Sequence, residues 1–333
     1  MDSLTQVVLG AAVGYACGGR RLGRSALLIG AIAGTLPDLD FIFSAFAADD
    51  FSYLFHHRGF SHSIIASVSL PVFWAWITTK FRPNWDFLTL YWVYFWGAFT
   101  HIWLDSFTTW GTQIFWPATL RVAFNTIFIV DPFYTFFLLS GVGLSLMFKT
   151  HKKRLGAIIG ALAMSSLYLV WGVSVKYYLN PKFEAVFSKN NLSITRLSTK
   201  PTAFNSILWL GVAESDTAFH LTFVSLLDKT HHQKVYTIPK SQEISPDYLT
   251  SRTKQILAYT QGYYIVKKTN FGYLIHDLRY GTLGDPFVFG EQFVFSYEFK
   301  KQSDAEVAIQ VLNPRVQDPQ LLLKTLWERL KGN

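Results

Sequence analysis

Residues 87–105 read FLTLYWVYFWGAFTHIWLD, an apolar, aromatic-rich run that closes on His101-Ile102-Trp103-Leu104-Asp105. The run approaches the ~20 residues with which a helix crosses the hydrocarbon core of a bilayer. Its last turn carries two ionisable groups, which are costly at membrane depth and mark a function unless a partner explains them. On a helix, positions i and i+4 stack on one face, roughly 5–6 Å apart. His101 and Asp105 therefore either grip a metal ion together or form a hydrogen-bonded pair that caps the helix end.

Further apolar runs lie at 4–17, 25–47, 64–79, 126–148 and 155–178. With 87–104 they predict a polytopic α-helical membrane domain of about six segments. The second run is interrupted by Leu36-Pro37-Asp38-Leu39-Asp40, a break that is tolerated only where protein or water covers the backbone. The chain opens on Met1-Asp2, without the basic residues of a signal peptide, so the first segment is expected to be retained. Three alternate connections carry Arg20, Arg21, Arg24, Lys80, Arg82, Lys149, Lys152, Lys153 and Arg154, whereas the other two carry only Arg58 and Arg121. The excess of basic residues in cytoplasmic loops then sets both termini outside the cytoplasm, in a multi-pass protein.

The composition agrees. Half of the 333 residues are hydrophobic and 16% are charged, against about a quarter in an ordinary soluble domain. The net charge of +8 is not gathered into a basic stripe with interleaved aromatics, so no nucleic-acid partner is expected. A single cysteine, Cys17, excludes an internal disulfide and any Cys-based zinc finger, which leaves His, Asp and Glu as the available metal ligands.

Beyond Asn180-Pro181 the texture changes. Period-two stretches at Ser206–Leu210, Ala218–Leu226, Tyr263–Lys267 and Phe287–Phe299 predict strands, and Pro319–Leu330 has the spacing of an amphipathic helix. The expected organisation is a membrane domain over residues 1–179, carrying the site, and an extracytoplasmic, mainly β (α+β) domain over 180–333.

Asp38, Asp40, His56, His57, His62, His101 and Asp105 all fall at the outward ends of the six expected segments. In His56-His57-Arg58-Gly59-Phe60-Ser61-His62-Ser63, Gly59 would turn the chain so that His57 and His62 converge. Two adjacent carboxylates in an apolar run repel each other unless a cation sits between them, which makes Asp38 and Asp40 candidates; Asp38 could instead cap a helix. Asp2 and Gln6 form a weaker i, i+4 pair, with Gln6 a poor ligand. Arg58 and Arg121 offer a guanidinium fork for a phosphate or carboxylate. Asp131, before Pro132, reads equally well as a helix N-cap. Asp49 and Asp50 read as loop solvation, and His220, His231, His232 and His276 lack ligand spacing.

Met1-Asp2-Ser3-Leu4-Thr5, Leu36-Pro37-Asp38-Leu39-Asp40, His57-Arg58-Gly59-Phe60-Ser61-His62-Ser63 and His101–Asp105 running into Ser106-Phe107-Thr108-Thr109-Trp110-Gly111-Thr112 occur here in that order. Over roughly residues 1–135 this resembles the YdjM/YbcI-like family of bacterial inner-membrane proteins, classed as metal-dependent hydrolases. Asp277-Leu278-Arg279-Tyr280-Gly281 is similar to the extension of longer members. The resemblance implies a hydrolytic chemistry without a substrate, and a His where this chain has Gln6, so one metal position is in question. The order of motifs is also distantly similar to that of zinc-dependent phospholipase C.

The expected function is accordingly a metal-dependent hydrolase of the bacterial inner membrane. Asp38, Asp40, His57, His62, His101 and Asp105 are its candidate ligands for a divalent metal, zinc or alternatively manganese. Arg58 and Arg121 are the candidate catalytic groups, and the expected partner is a membrane lipid or lipid-linked phosphoester. The alternative is an ion or metal transporter, since intramembrane Asp and His also line ion pathways.

Overall fold

The computed structural model describes residues 1–40, 57–230, 233–240, 243–301, 307–314, 316 and 318–332. His56, Asp49, Asp50, His231 and His232 lie outside the described residues. The chain forms two compact units: one of the described residues up to Ser174 with Ala203–Asn205, the other of Val175–Thr202 and the described residues from Ser206 onward.

The first unit is helical. It comprises α1 (Ser3–Leu22), α2 (Ser25–Thr35), a 3-10 turn (Leu36–Leu39), a second 3-10 turn (Phe60–His62), α3 (Ile64–Phe81), α4 (Phe87–Asp105), α5 (Pro132–Met147) and the first part of α6 (His151–Lys189). Asp2 caps α1 through its side chain, Ser63 caps α3, Asp86 caps α4, and Asp131 caps α5 ahead of a proline. Each occupies the position where a short polar side chain satisfies an otherwise orphaned backbone N–H. Helix α1 packs against α2, α4 and α5, and α3 packs against α4. The α1–α2 contact is backbone on backbone: a Cβ on Gly10 would come within 2.3 Å of the Gly30 carbonyl oxygen, and one on Gly30 within 2.2 Å of the Gly10 oxygen. Small residues are what permit such an approach.

The expectation of six membrane-spanning segments does not hold. Among the described residues, two helices are long and apolar enough to cross a membrane, Ile64–Phe81 and His151–Lys189. Helix α2 has 11 residues and reaches about 16 Å, roughly half of the hydrocarbon thickness. Helix α5, with 16 residues, falls short in the same way. Helix α1 is long enough, but it is glycine-rich, ends on Arg20-Arg21 and buries most of its surface against neighbouring helices. Helix α4 is interrupted by polar residues, with His101 and Asp105 fully buried. Apolar content alone therefore overcounted spans, because core helices of a helical domain carry it too. The six-segment topology falls with the count.

The second unit is β-rich. Strands β1 (Arg196–Pro201), β2 (Leu208–Glu214), β3 (Ala218–Ser225) and β4 (Tyr236–Pro239) form one antiparallel sheet in that order. Strands β5 (Tyr264–Thr269), β6 (Gly272–Asp277), β7 (Ser296–Lys301) and β8 (Val307–Leu312) form the other. Alternation along β2 shows how the layers assemble: Trp209 and Ala213 join Phe183 and Phe187 of α6, whereas Leu210 and Val212 join Ile265 and Leu278 of the second sheet. Successive strand residues point to opposite faces, so the first sheet lies between the end of α6 and the second sheet.

Phe287–Phe299 departs from its expected strand. Asp285 accepts a hydrogen bond from the Phe287 amide and starts a one-turn helix, α8 (Pro286–Phe289), and the strand begins only at Ser296. An Asp-Pro start overrides period-two patterning locally. Helix α7 (Ser251–Tyr259) precedes β5 and α9 (Pro319–Leu330) closes the chain. Asp277 and Arg279 form a buried two-pronged pair at 3.0 and 2.7 Å, with the guanidinium 4.2 Å from the Tyr259 ring centroid.

Candidate metal centre

Four side chains from three parts of the first unit converge. Asp38 comes from the 3-10 turn after α2, His62 from the second 3-10 turn, and His101 and Asp105 from the last turn of α4. One ligand atom from each lies within 4.8 Å of all the others. The Nε2 atoms of His62 and His101 are 3.2 Å apart. Asp38 Oδ1 is 3.2 Å from His62 Nε2 and 3.4 Å from His101 Nε2, and Asp105 Oδ2 is 3.6 Å from both. Ligands ~2.0–2.1 Å from a tetrahedral zinc ion lie about 3.3–3.4 Å from one another. The five separations that involve an imidazole bracket that edge length, and all four ligand atoms lie within 4.8 Å of one another, so the four donors can converge on one divalent ion.

The imidazoles are held with Nε2 facing the cluster. His101 Nδ1 lies 2.6 Å from the Gly34 carbonyl oxygen, which can only accept, so Nδ1 carries the proton and Nε2 presents its lone pair. His62 Nδ1 is 2.9 Å from Ser61 Oγ and 3.4 Å from Asp40 Oδ2. Burial alone would raise the pKa of Asp38, but the His101 and His62 imidazoles beside it, when protonated, outweigh burial and hold it well below the usual carboxylate range. Asp40 is lowered in the same way, burial being outweighed by His57 and His62. Both carboxyls are therefore anionic at neutral pH, the form that binds a cation. His62, His101 and Asp105 have side chains that are 0% exposed, whereas the Asp38 side chain is 27% exposed, so solvent reaches the cluster at Asp38.

Two expected ligands stand beside the cluster instead of in it. Asp40 accepts hydrogen bonds from the Arg58 amide at 3.1 Å and Ser61 Oγ at 2.7 Å, and its Oδ1 lies 2.9 Å from His57 Nδ1. It ties the second 3-10 turn to the first. His57 faces Asp40 and stacks edge-on with His62, with ring centroids 5.7 Å apart. Arg58 is 3% exposed, has φ +60°, sets its Nε 3.0 Å from Asp105 Oδ2 and donates from Nη1 to Thr108 Oγ1. Arg121 donates from Nη2 to the His57 carbonyl at 3.2 Å, so it braces the loop that carries His57.

Gln6 is buried and donates from Nε2 to Asp105 Oδ1 at 2.9 Å, while its Oε1 has no hydrogen-bond partner. The Met1 amino group pairs with the same Asp105 oxygen. Asp2 and Asp131 are helix caps, the latter also accepting from Tyr168 at 2.9 Å. His220 and His276 are buried on serine and threonine hydroxyls. The sequence offered no role for Ser61 or for the Gly34 carbonyl; Ser61 stood inside a quoted motif, but a backbone acceptor leaves no signal in sequence.

Two helices long and apolar enough to cross a bilayer and a buried Asp/His cluster are the features of a membrane-associated protein with a potential metal site. Residues 1–179 match the family described as YdjM inner membrane protein, more than half of the chain, and the chain belongs to that family. An uncharacterised protein of Bacillus subtilis (strain 168), YfhP, is 33% identical over 141 residues, covering 40% of this chain and 42% of that protein. The match thus spans less than half the length of that relative. No solved structure matches the chain.

Proposed function

We propose that the protein is a membrane-bound, metal-dependent hydrolase of phosphoesters. The observation that carries this reading is the convergence of His62, His101, Asp38 and Asp105, whose imidazole nitrogens lie 3.2 Å from each other and 3.2–3.6 Å from the carboxylates, with all four ligand atoms within 4.8 Å of one another. Two imidazoles and two carboxylates suit zinc, with manganese the alternative for such a nitrogen and oxygen set. An ion of this kind supplies a Lewis acid and lowers the pKa of water toward ~7. Asp38, as the exposed member, is the side from which water and substrate enter. Arg58 fixes a permanent positive charge beside Asp105, where it compensates the anionic charge of a phosphoester. Arg121, acting through the His57 carbonyl, keeps the loop of His57 and Arg58 in place.

The basic residues that flank the two long apolar helices bear on their orientation. Lys80 lies in the last turn of α3 and Arg82 follows its end, and Lys152, Lys153 and Arg154 open α6. The positive-inside rule sets these ends in the cytoplasm. The end of α6, which leads into the β-rich unit, then faces the outside.

The test is incubation of metal-loaded protein in mixed micelles with extracted lipids and, separately, with a peptide library, scoring products by mass. Release of a phosphorylated or dephosphorylated lipid product, lost in Asp38→Asn, supports the reading. Cleavage confined to peptides would overturn the phosphoester assignment. Metal flux into sealed vesicles without hydrolysis would favour a transporter instead.

A further inference from the structure

Helix α9, in the β-rich unit, carries Leu321, Leu322, Leu323, Leu326, Trp327 and Leu330 within 12 residues, yet none of its residues is buried. Helix α7 of the same unit buries Thr253, Ile256 and Tyr259. An amphipathic helix ordinarily puts its apolar stripe under cover; on α9, Leu323 is 53% and Trp327 59% exposed. The helix is nonetheless held in place. Arg329 sets two prongs on Asp228, at 2.6 and 2.7 Å, and Ser225 Oγ donates to the Leu330 carbonyl at 2.6 Å. Exposed Leu227 lies beside this anchored end, where a Cβ on Gly332 would overlap the Leu227 carbonyl oxygen.

The charges on this face are of one sign. Lys324, Trp327 and Lys331 recur at i, i+3 and i+7, so they share one side of the helix, and Leu323 stands one turn before Trp327. The Lys331 Nζ lies 5.2 Å from the centroid of the Trp327 ring. Lys229 is exposed two residues after Leu227. Asp228 is taken up by Arg329. Over Leu323–Lys331 and the adjoining turn at 227–229, the exposed charges are therefore Lys229, Lys324 and Lys331 against Glu328.

We infer that this face of α9 docks on an anionic lipid surface. Leu227, Leu323 and Trp327 enter the interfacial layer, and Lys229, Lys324 and Lys331 meet the phosphates of the headgroups. Tryptophan is the side chain most at home at that depth, and a lysine lying over its ring keeps an apolar stem against it and a charged head in water. A helix with an apolar face and flanking lysines lies in the plane of the interface. The bilayer is within reach, because α6, long and apolar enough to cross it, ends in this same unit. Docking is then intramolecular, and a weak affinity suffices. Each lysine strengthens attraction to an anionic surface roughly fivefold. An acidic protein surface would complement the lysines but would leave Leu323 and Trp327 without an apolar partner.

The experiment uses the full chain with Cys17→Ser and Gln320→Cys, which places a polarity-sensitive fluorophore on the same face of α9 without altering its apolar residues. The labelled protein is reconstituted in nanodiscs of phosphatidylcholine, alone or with phosphatidylglycerol, and a lipid spin-labelled near the headgroup serves as quencher. In the anionic nanodiscs the emission should shift to the blue and be quenched, and high salt should reverse both. Lys324→Glu with Lys331→Glu should lower the docked-to-free ratio more than tenfold, from two lysines worth roughly fivefold each. Trp327→Ser should release the label as well, and unchanged thermal melting shows that these surface variants are folded. Equal quenching in neutral nanodiscs, or equal quenching of a label at Lys254→Cys on α7, would overturn the inference. A blue shift without quenching by the spin-labelled lipid would mean that protein covers the face, which also overturns it.

Discussion

His62 and His101, from segments 39 positions apart, bring their Nε2 atoms to 3.2 Å, and both nitrogens face the same Asp38 oxygen. Two imidazole lone pairs directed at one point repel unless a proton or a cation lies between them. Gly34 on one side and Ser61 with Asp40 on the other hold the rings in that orientation. The site is built from behind as much as from within.

Asp40 tests that statement. It fixes His62, the Arg58 amide and Ser61. Asp40→Asn is therefore expected to weaken metal binding by about 10–100-fold without abolishing it, as loss of an outer-shell partner does. Isothermal titration with zinc measures this; an affinity equal to wild type would remove Asp40 from the site.

The α1–α2 contact tests how the fold supports the centre. Gly30→Ala sets a Cβ 2.2 Å from the Gly10 carbonyl oxygen, an overlap only a backbone shift relieves, at a cost of about 1–3 kcal/mol. Because α2 carries Gly34 and leads to Asp38, the variant should lose thermal stability and metal affinity together. Substitution at Gly143, where an added Cβ meets nothing within 4 Å, should change neither.

In the β-rich unit, burial, with Lys267 nearby, pushes the His276 pKa from 6.5 down to about 4. The folded state then favours neutral His276, so its contribution to stability is complete above pH 6.5 and is lost as the pH falls toward 4. Over that window the unfolding free energy should drop by up to about 1.4 kcal/mol per pH unit. Thermal melts from pH 7 to 4 read the slope, and His276→Gln should flatten it; an unchanged slope would assign the acid sensitivity elsewhere.

Much of this was legible in sequence, and the misreadings have definite causes. His101 and Asp105 were readable from helical spacing, and Asp38 and His62 from their place in polar breaks of apolar runs. Asp38 and Asp40 were not separable. They belong to a 3-10 turn and its cap, and with three residues per turn positions i and i+2 diverge by about 120°, so only one can face the cluster. The count of membrane helices failed because α1 and α4 use apolar residues to pack on each other and on α2. The β-rich unit was visible in alternation along β2 and β3, but not the pairing of sheets, which depends on contacts distant in sequence.

The central claim is that Asp38, His62, His101 and Asp105 bind one divalent ion together. The direct measurement is metal content of the purified wild-type protein, with the anomalous scattering peak located in crystals, beside His101→Ala and Asp105→Asn. About one zinc or manganese per chain at the four side chains, lost in both variants because removing one ligand leaves a buried ion underpaired, is the predicted result. Equal metal content in wild type and His101→Ala, or a peak elsewhere in the chain, would contradict it.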